Sequence, residues 1–411
     1  MPSRPLPAAR HDIVIVGGGL VGASLAITLD RLGLDVGLVD ATPPGSLPPV
    51  FDQRNLSFAA ATVNALTALG VMQKLQTPPA PIRRIHVSRT GDFGRVKLDA
   101  ADYGREAFGQ IVVARAFGDA LEARLSELPR LTRYRPARFV GIEDAGAAHR
   151  AIRIDDDASS GTQRIEARLI VAADGTRSSI RDALGIAVDE HDYAQTLLIA
   201  RIRAQRGPDG TAYERFGDDG PTALLPRGDR HFGVIHGVAR TDADAVLQSS
   251  DSEWLARLQS AFGWRVGKLL SSGPRSAYPA IRVVAARTID ERAILIGNAA
   301  QTIHPIGAQG FNLGLRDALT LAELIEQRGG DPGDPSLLDA YVARRREDRI
   351  QTLKFSDGLA RITSNDASLL QPLRSLGLIA ADALPSAQAM LVGAAMGYRA
   401  DTPVLCREAV Q

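Results

Sequence analysis

Gly17, Gly19 and Gly22, in the run Gly17-Gly18-Gly19-Leu20-Val21-Gly22, have the G-x-G-x-x-G spacing. In such a loop the first glycine permits a tight turn, the second lets backbone approach a pyrophosphate, and the third lets a helix pack closely on a strand. The free N–H groups of the helix start then meet the anion. The spacing alone is weak evidence; its surroundings give it weight. Asp12 to Val16 is an apolar run that reads as a buried strand. A helical pattern runs from Leu20 to Leu32, and Val36 to Val39 reads as a second strand ending at Asp40. A carboxylate at that place accepts hydrogen bonds from a ribose, so the whole unit reads as a dinucleotide-binding βαβ.

Two later segments repeat the pattern of strand, turn and helix start. Val171 to Arg181 reads as a strand, an Asp-Gly turn and a helix start, and Gly297 to Gly314 reads as a strand end, a glycine-rich loop and a helix start. There, the N–H groups of Gly307, Gln309, Gly310 and Phe311 are placed to stabilise negative charge. No His, Cys, Asp and Glu set has metal-ligand spacing, and no G-x-S-x-G nucleophile elbow occurs.

These three segments, in this order, resemble the group A flavin monooxygenases of the para-hydroxybenzoate hydroxylase fold. That family carries an N-terminal G-x-G-x-x-G, a central Asp-Gly segment and a C-terminal Gly-Asp segment that ends in Pro and a glycine-rich turn. The resemblance covers residues 11–360. Within the family, the block "HPIGAQGFNLGLRDA" is similar to the HP-x-x-GQG-x-NLG-x-RD signature of the ubiquinone-biosynthesis hydroxylases. Ala308 stands where that signature has a glycine, and Asn298 stands where the general motif has Asp. The stretch "GNAAQT" at Gly297 to Thr302 looks like the 2-polyprenyl-6-methoxyphenol hydroxylase type.

The resemblance implies FAD as cofactor and NAD(P)H as reductant. It carries FAD-binding roles onto Gly17, Gly19, Gly22, Asp40, Arg54, Arg115, Asp174, Gly175, Asn298, Gly307, Gln309, Gly310, Phe311 and Asn312. His304 and Pro305 occupy flavin-loop positions and are the catalytic candidates. Leu225 and Pro226, in the segment Leu224–Pro226, are candidates for an apolar substrate wall, and His236 is a further substrate candidate. The implied reaction hydroxylates 2-polyprenyl-6-methoxyphenol to the 1,4-benzoquinol in ubiquinone biosynthesis, in a site closed to water. Two alternatives stand beside it: a sister hydroxylase acting on another ring position or on a small phenol, and a non-catalytic FAD-binding scaffold. The implied partners are the polyprenyl phenol and other proteins of the same pathway.

The elements that must position these residues give an α/β fold. It is an FAD-binding Rossmann-like domain of para-hydroxybenzoate hydroxylase type, with an inserted β-sheet substrate domain and C-terminal helices. The expected division is 11–80, 110–185 and 286–330 for the FAD-binding domain. Residues 81–109 and 186–285 supply the substrate-domain strands, and 331–411 a C-terminal helical segment. Helices are expected at Leu20–Leu32, Phe58–Leu69 and Phe311–Glu326. Arg115 is expected to end a strand over Gln110–Ala114. Residues 190–285 show short alternating runs separated by Gly, Pro and Asp turns, a pattern typical of a β-sheet layer.

The 411 residues are 45% hydrophobic and 23% charged, ordinary for a globular chain. Lys and Arg number 48 against 47 Asp and Glu, which disfavours a dedicated nucleic-acid binder. The single cysteine, Cys406, excludes an intrachain disulfide and fits a reducing compartment. The expected location is cytoplasmic, with peripheral contact at the inner face of the membrane. The segment Leu369–Tyr398 carries only Arg374 and Asp382 as charges. It reads either as helices packed on the body or as a greasy surface for membrane or partner.

Overall fold

The computed structural model describes residues 9–156, 161–217, 220–363, 379–380, 382–398 and 401–407. A parallel sheet runs in the order Ala293–Leu295, Gly161–Ala172, Ala9–Val16, Val36–Val39, Leu131–Tyr134. Its register sets Ile13 beside Leu169 and Val36, and Val16 beside Ala172 and Val39. Ile13, Val14 and Ile15 are all fully buried because both faces of this sheet are covered. Ile13 and Ile15 pack toward the helices, with Leu25, Ile27 and Leu29 of the helix Leu20–Asp30 in the same cluster. Val14 and Val16 pack against Ile152 and Ile154 on the other face, from an antiparallel strand that pairs with Gly161–Ala172.

The second sheet is larger and mostly antiparallel. Its order is Gln301–Thr302, Ser276–Ala285, Val188–Ala204, Phe232–Ala239, Gly220–Pro226, Thr211–Gly217, Arg84–Arg89, Arg95–Asp99. Two helices cover one face of it, Ala243–Gln248 and Asp251–Phe262. Both fall inside the stretch expected to be a β-sheet layer. The second is started by a capping box between Ser250 and Glu253, and buries Trp254, Leu258 and Phe262 at four-residue intervals. Short alternating runs elsewhere in the stretch masked that helical period. Asn55–Ala59, Gly109–Val113 and Ala80–Pro81 form a separate three-stranded sheet, with Gly109–Val113 in the middle.

Two further boundaries differ from expectation. Phe58 lies in the strand Asn55–Ala59, paired with Gln110, and the helix begins at Ala60. The strand before Arg115 ends at Val113, so Arg115 sits in the first turn of the helix Ala114–Leu125. Much of the expected segment Leu369–Tyr398 lies outside the described residues. Its described part holds the helix Pro385–Met396, which buries Val392 and Met396 against Val96, Leu98 and Phe108. No helix of the described residues is long and apolar enough to cross a membrane.

Candidate active site

The parallel sheet brings the three glycine-bearing segments to one edge. Gly17 follows the strand end with φ +112°, and a Cβ there would lie 2.4 Å from the Ala173 carbonyl oxygen, next to Asp174. A Cβ on Gly22 would lie 2.0 Å from the Gly17 carbonyl oxygen, so both positions are closed to any side chain by the protein's own backbone. The third segment reaches the first through Val21, whose Cγ2 lies 3.0 Å and 2.8 Å from the Cβ positions of Gly297 and Gly314. It reaches the second through Thr302 Oγ1, which donates to Thr176 Oγ1 at 2.9 Å.

Gly19 differs from its neighbours. It is the N-cap of the helix Leu20–Asp30, no side chain caps that helix, and a Cβ would meet only Val50 Cγ1 at 3.8 Å. The fold therefore does not itself require glycine there, and the open side leaves room for a group from outside the chain to approach the backbone closely. Asp40 packs its carboxylate against the same loop, 2.3 Å from the Cβ position of Gly18, and accepts from the Thr42 N–H at 2.9 Å. Asp174 accepts from the Ile180 N–H at 3.3 Å through one oxygen, while the other is buried with no partner. Burial raises its pKa. The neighbouring Gly175 has φ +88° and open space on its Cβ side.

The remaining candidates divide. Asn298 is exposed in the turn Gly297–Ala299. Arg115 is exposed and lines a cleft with Gln53, Arg227 and Asp229. Arg54 is committed internally. It pairs with Asp52 through Nη2 at 2.8 Å and lies 4.1 Å over the ring of Tyr278, which also donates to Asp52.

The helix Gln309–Arg328 starts abruptly. Gly307 and Ala308 are both left-handed, at φ +71° and +50°, and no side chain caps the first turn. A non-glycine residue held in this region costs about 1–2 kcal/mol, so the turn is maintained by its surroundings. Asn312 is one of them. Its Oδ1 accepts from the Ala59 N–H and Thr62 Oγ1, and its Nδ2 donates to the carbonyls of Ser57 and Ala308. With that amide fully engaged, Asn312 acts by positioning the loop. Phe311 is likewise turned inward, 5.3 Å from both Phe58 and Phe117 between ring centroids.

His304 is 1% exposed, and burial pushes its pKa down to about 4, so the ring is neutral at physiological pH. Its Nδ1 accepts from the Ile306 N–H at 3.2 Å, which leaves the proton on Nε2. Its carbonyl accepts from Ser356, and its ring stands edge-on to Tyr193 at 4.8 Å. These contacts hold the start of the loop, next to Pro305.

The loop from His304 to Gln309 forms one side of a cavity of about 290 Å³. The rest is mostly apolar wall: Ile85 and Val87, Ala223 and Leu225, Val96 and Leu98, with Leu391, Ala394 and Ala395 of the helix Pro385–Met396. Leu225 lines it, as expected for a wall residue. Pro226 and His236 do not. Side chains alternate along a strand, and it is Ile235 that faces the cavity. His236 points to the opposite face, where it meets Thr222 at 2.9 Å, Arg257 at 3.2 Å and the ring of Trp254.

Sequence reasoning passed over Arg316 and Asp317 of "GLRDA". Both are buried in an ion network with Arg345 and Asp348 of the helix Pro335–Thr363. The network anchors Gly297 and Gln301 beneath the site. Two adjacent unlike charges inside the apolar stretch Leu313–Ala322 were the available signal. Glu214 was also missed, and it lines the cavity. Among the described residues no cluster of His, Cys, Asp and Glu is suited to a metal.

Residues 10–356 match the family described as FAD binding domain. The chain is 33% identical over 394 residues to ubiquinone hydroxylase UbiL of Rhodospirillum rubrum, covering 94% of this chain and 89% of that protein. It is 29% identical over 385 residues to the 3-demethoxyubiquinol 3-hydroxylase of Escherichia coli, covering 90% and 94%. Among solved structures, p-nitrophenol 4-monooxygenase PnpA from Pseudomonas putida aligns with TM-score 0.77 at 18% identity, over 96% of this chain and 100% of that one. That likeness is one of fold. The residues present fit FAD: an uncapped helix start behind an open Gly19, a partnerless buried oxygen on Asp174, and a second uncapped helix start beside an apolar cavity.

Proposed function

The chain belongs to the FAD-binding-domain family of flavin monooxygenases, and on that premise we propose that it hydroxylates the ring of a polyprenyl phenol in ubiquinone biosynthesis. The observation that carries this reading is the cavity: an apolar chamber of about 290 Å³ with the helix start Gln309–Arg328 as one wall. FAD, when bound and reduced by NAD(P)H, supplies activation of molecular oxygen. The chain's own residues do the rest. Gly19, the N–H groups of the helix Leu20–Asp30, Asp40 and Asp174 hold the dinucleotide at the edge of the parallel sheet. The N–H groups of Gln309 and Gly310 offer partial positive charge where negative charge accumulates. Ile85, Val87, Leu98, Ala223, Leu225 and Leu391 keep water from the ring.

The substrate assigned is 2-polyprenyl-6-methoxyphenol and the product its 1,4-benzoquinol, on the strength of the Gly297–Thr302 stretch. Ile379, Leu384 and Met390 are 41%, 52% and 68% exposed beside a helix whose other side lines the cavity. That placement supports a peripheral lipid contact through which a prenyl tail enters. The deciding experiment supplies FAD-loaded protein with NAD(P)H, oxygen and a short-tailed 2-prenyl-6-methoxyphenol, and locates the new hydroxyl by mass spectrometry and NMR. A hydroxyl para to the phenol is expected. A hydroxyl at another position moves the protein to a sister reaction, and no product from any phenol overturns the hydroxylase reading.

A further inference from the structure

Glu214 is the one carboxylic acid among the described residues that line the cavity. The strand Thr211–Gly217 alternates, so Ala212, Glu214 and Phe216 share the cavity face. In the sheet, Glu214 lies beside Val87 on one neighbour and Ala223 on the other, both of them apolar wall residues. Among the described residues no side chain donates to it or pairs with it. Glu214 is half-buried and faces the cavity. A carboxylate set among apolar side chains is costly unless a hydrogen-bond donor reaches it, and the open side from which a donor can reach Glu214 is the cavity.

We propose that Glu214 accepts the hydrogen bond of the substrate's phenolic hydroxyl and takes its proton as the ring is oxygenated. The proposal rests on the hydroxylase reading and deepens it. The phenol O–H bond breaks, its electron pair stays on the ring oxygen, and the proton passes to the Glu214 carboxylate. The ring thereby becomes electron-rich at the carbons ortho and para to that oxygen. Position supports the assignment. Phe216, two residues along the same strand, touches Ile306 of the loop, so the loop contact lies about 7 Å from Glu214 at strand rise. A phenol with its oxygen at Glu214 thus has the loop within reach of its ring.

Burial pushes the Glu214 pKa up to about 7, so the carboxylate form is populated at physiological pH while remaining a competent base. The other ionisable groups around the cavity do not duplicate it. His304 is neutral there, Asp357 is occupied by Tyr193, and Arg89 lies at the end of its strand, beyond Val87. Arg215 and His86 occupy the alternate strand positions, on the other face.

The test compares wild type with Glu214→Gln, both checked for FAD content, using 2-allyl-6-methoxyphenol as substrate from pH 5.5 to 8.5. In wild type, turnover should rise with pH through a midpoint near neutrality. In Glu214→Gln, kcat should fall 10²–10³-fold at pH 8, with KM changed little and the neutral limb gone. The ultraviolet spectrum of the bound phenol gives a readout independent of turnover, with ionisation in the wild-type complex and none in the variant. A flavin-replete variant that keeps kcat and the limb overturns the proposal. If the variant fails to retain FAD, wild type decides: a profile flat from pH 6 to 8 overturns it, and a neutral limb with phenol ionisation supports it. Wild type that binds FAD yet oxygenates no phenol overturns the hydroxylase reading instead, and this proposal with it.

Discussion

Arg345 Nε donates to Asp317 Oδ1 at 2.9 Å, and the other oxygen of that carboxylate accepts from the Gly297 N–H at 3.2 Å and Gln301 Nε2 at 2.6 Å. One buried carboxylate thus ties the long C-terminal helix to the turn that carries Asn298. Removing one partner from a buried ion pair costs about 3–5 kcal/mol, because the other charge stays behind unpaired. Asp317→Asn should therefore lower the melting temperature sharply and weaken FAD retention. Asp192→Asn, at the exposed pair with Arg240, should leave both nearly unchanged. Thermal melts of the three proteins check this. Equal melting of Asp317→Asn and wild type would refute the anchoring role.

The same network sets an acid limit. Burial alone would raise the Asp348 pKa, but the charges and hydrogen bonds of Arg316 and Arg345 hold it well below the usual carboxylate range. A depressed folded-state pKa stabilises the fold above the unfolded value, about 4, and that stability drains away as pH falls below it. The melting difference between wild type and Asp348→Asn should be large at pH 6 and shrink steadily from pH 4 to pH 3. A difference constant with pH would exclude this linkage.

Gly19 and Gly22 should fail in different ways. Gly22→Ala meets the Gly17 carbonyl at 2.0 Å, whereas a Cβ at Gly19 meets nothing closer than 3.8 Å. Gly22→Ala should yield poorly folded protein. Gly19→Val should fold with near-normal circular dichroism but without FAD. Normal flavin content in purified Gly19→Val would remove the pyrophosphate from that loop.

Gly310 lies in the first turn of its helix, where a Cβ would find only Ile303 Cγ1 at 3.9 Å. Gly310→Val should fold and hold FAD yet lose close backbone approach. Product formed per NAD(P)H consumed should drop severalfold, with hydrogen peroxide making up the difference. An unchanged ratio in flavin-replete protein would make the loop a mere connector.

Leu384 and Met390 are exposed, so Leu384→Asp with Met390→Asp should leave stability and FAD content intact. If this face meets lipid, co-sedimentation of the protein with phosphatidylglycerol–phosphatidylcholine vesicles should fall severalfold in the double variant. Equal sedimentation would return the face to ordinary surface.

The dinucleotide unit was legible in the sequence because its determinants are local. Gly22 and Asp40 satisfy packing demands within one βαβ segment, and continuous apolar runs such as Ile13–Val16 mark a strand covered on both faces. The loop His304–Gln309 was legible for the same reason. What the pattern could not decide was which way side chains face once distant strands pair. His236 and Ile235 are neighbours, yet only Ile235 lines the cavity, because the pairing of Phe232–Ala239 with Gly220–Pro226 sets the phase of the alternation. Asn312 looked like a ligand-binding amide until the strand Asn55–Ala59 took up its hydrogen bonds. Arg54 looked like a cofactor ligand, and the fold pairs it with Asp52 and stacks it on Tyr278. Glu214 was an unremarked residue in "YERF" until two neighbouring strands surrounded it with Val87 and Ala223. A charge acquires its chemistry from the solvent and partners it is denied, and those are set by contacts between residues far apart in the chain.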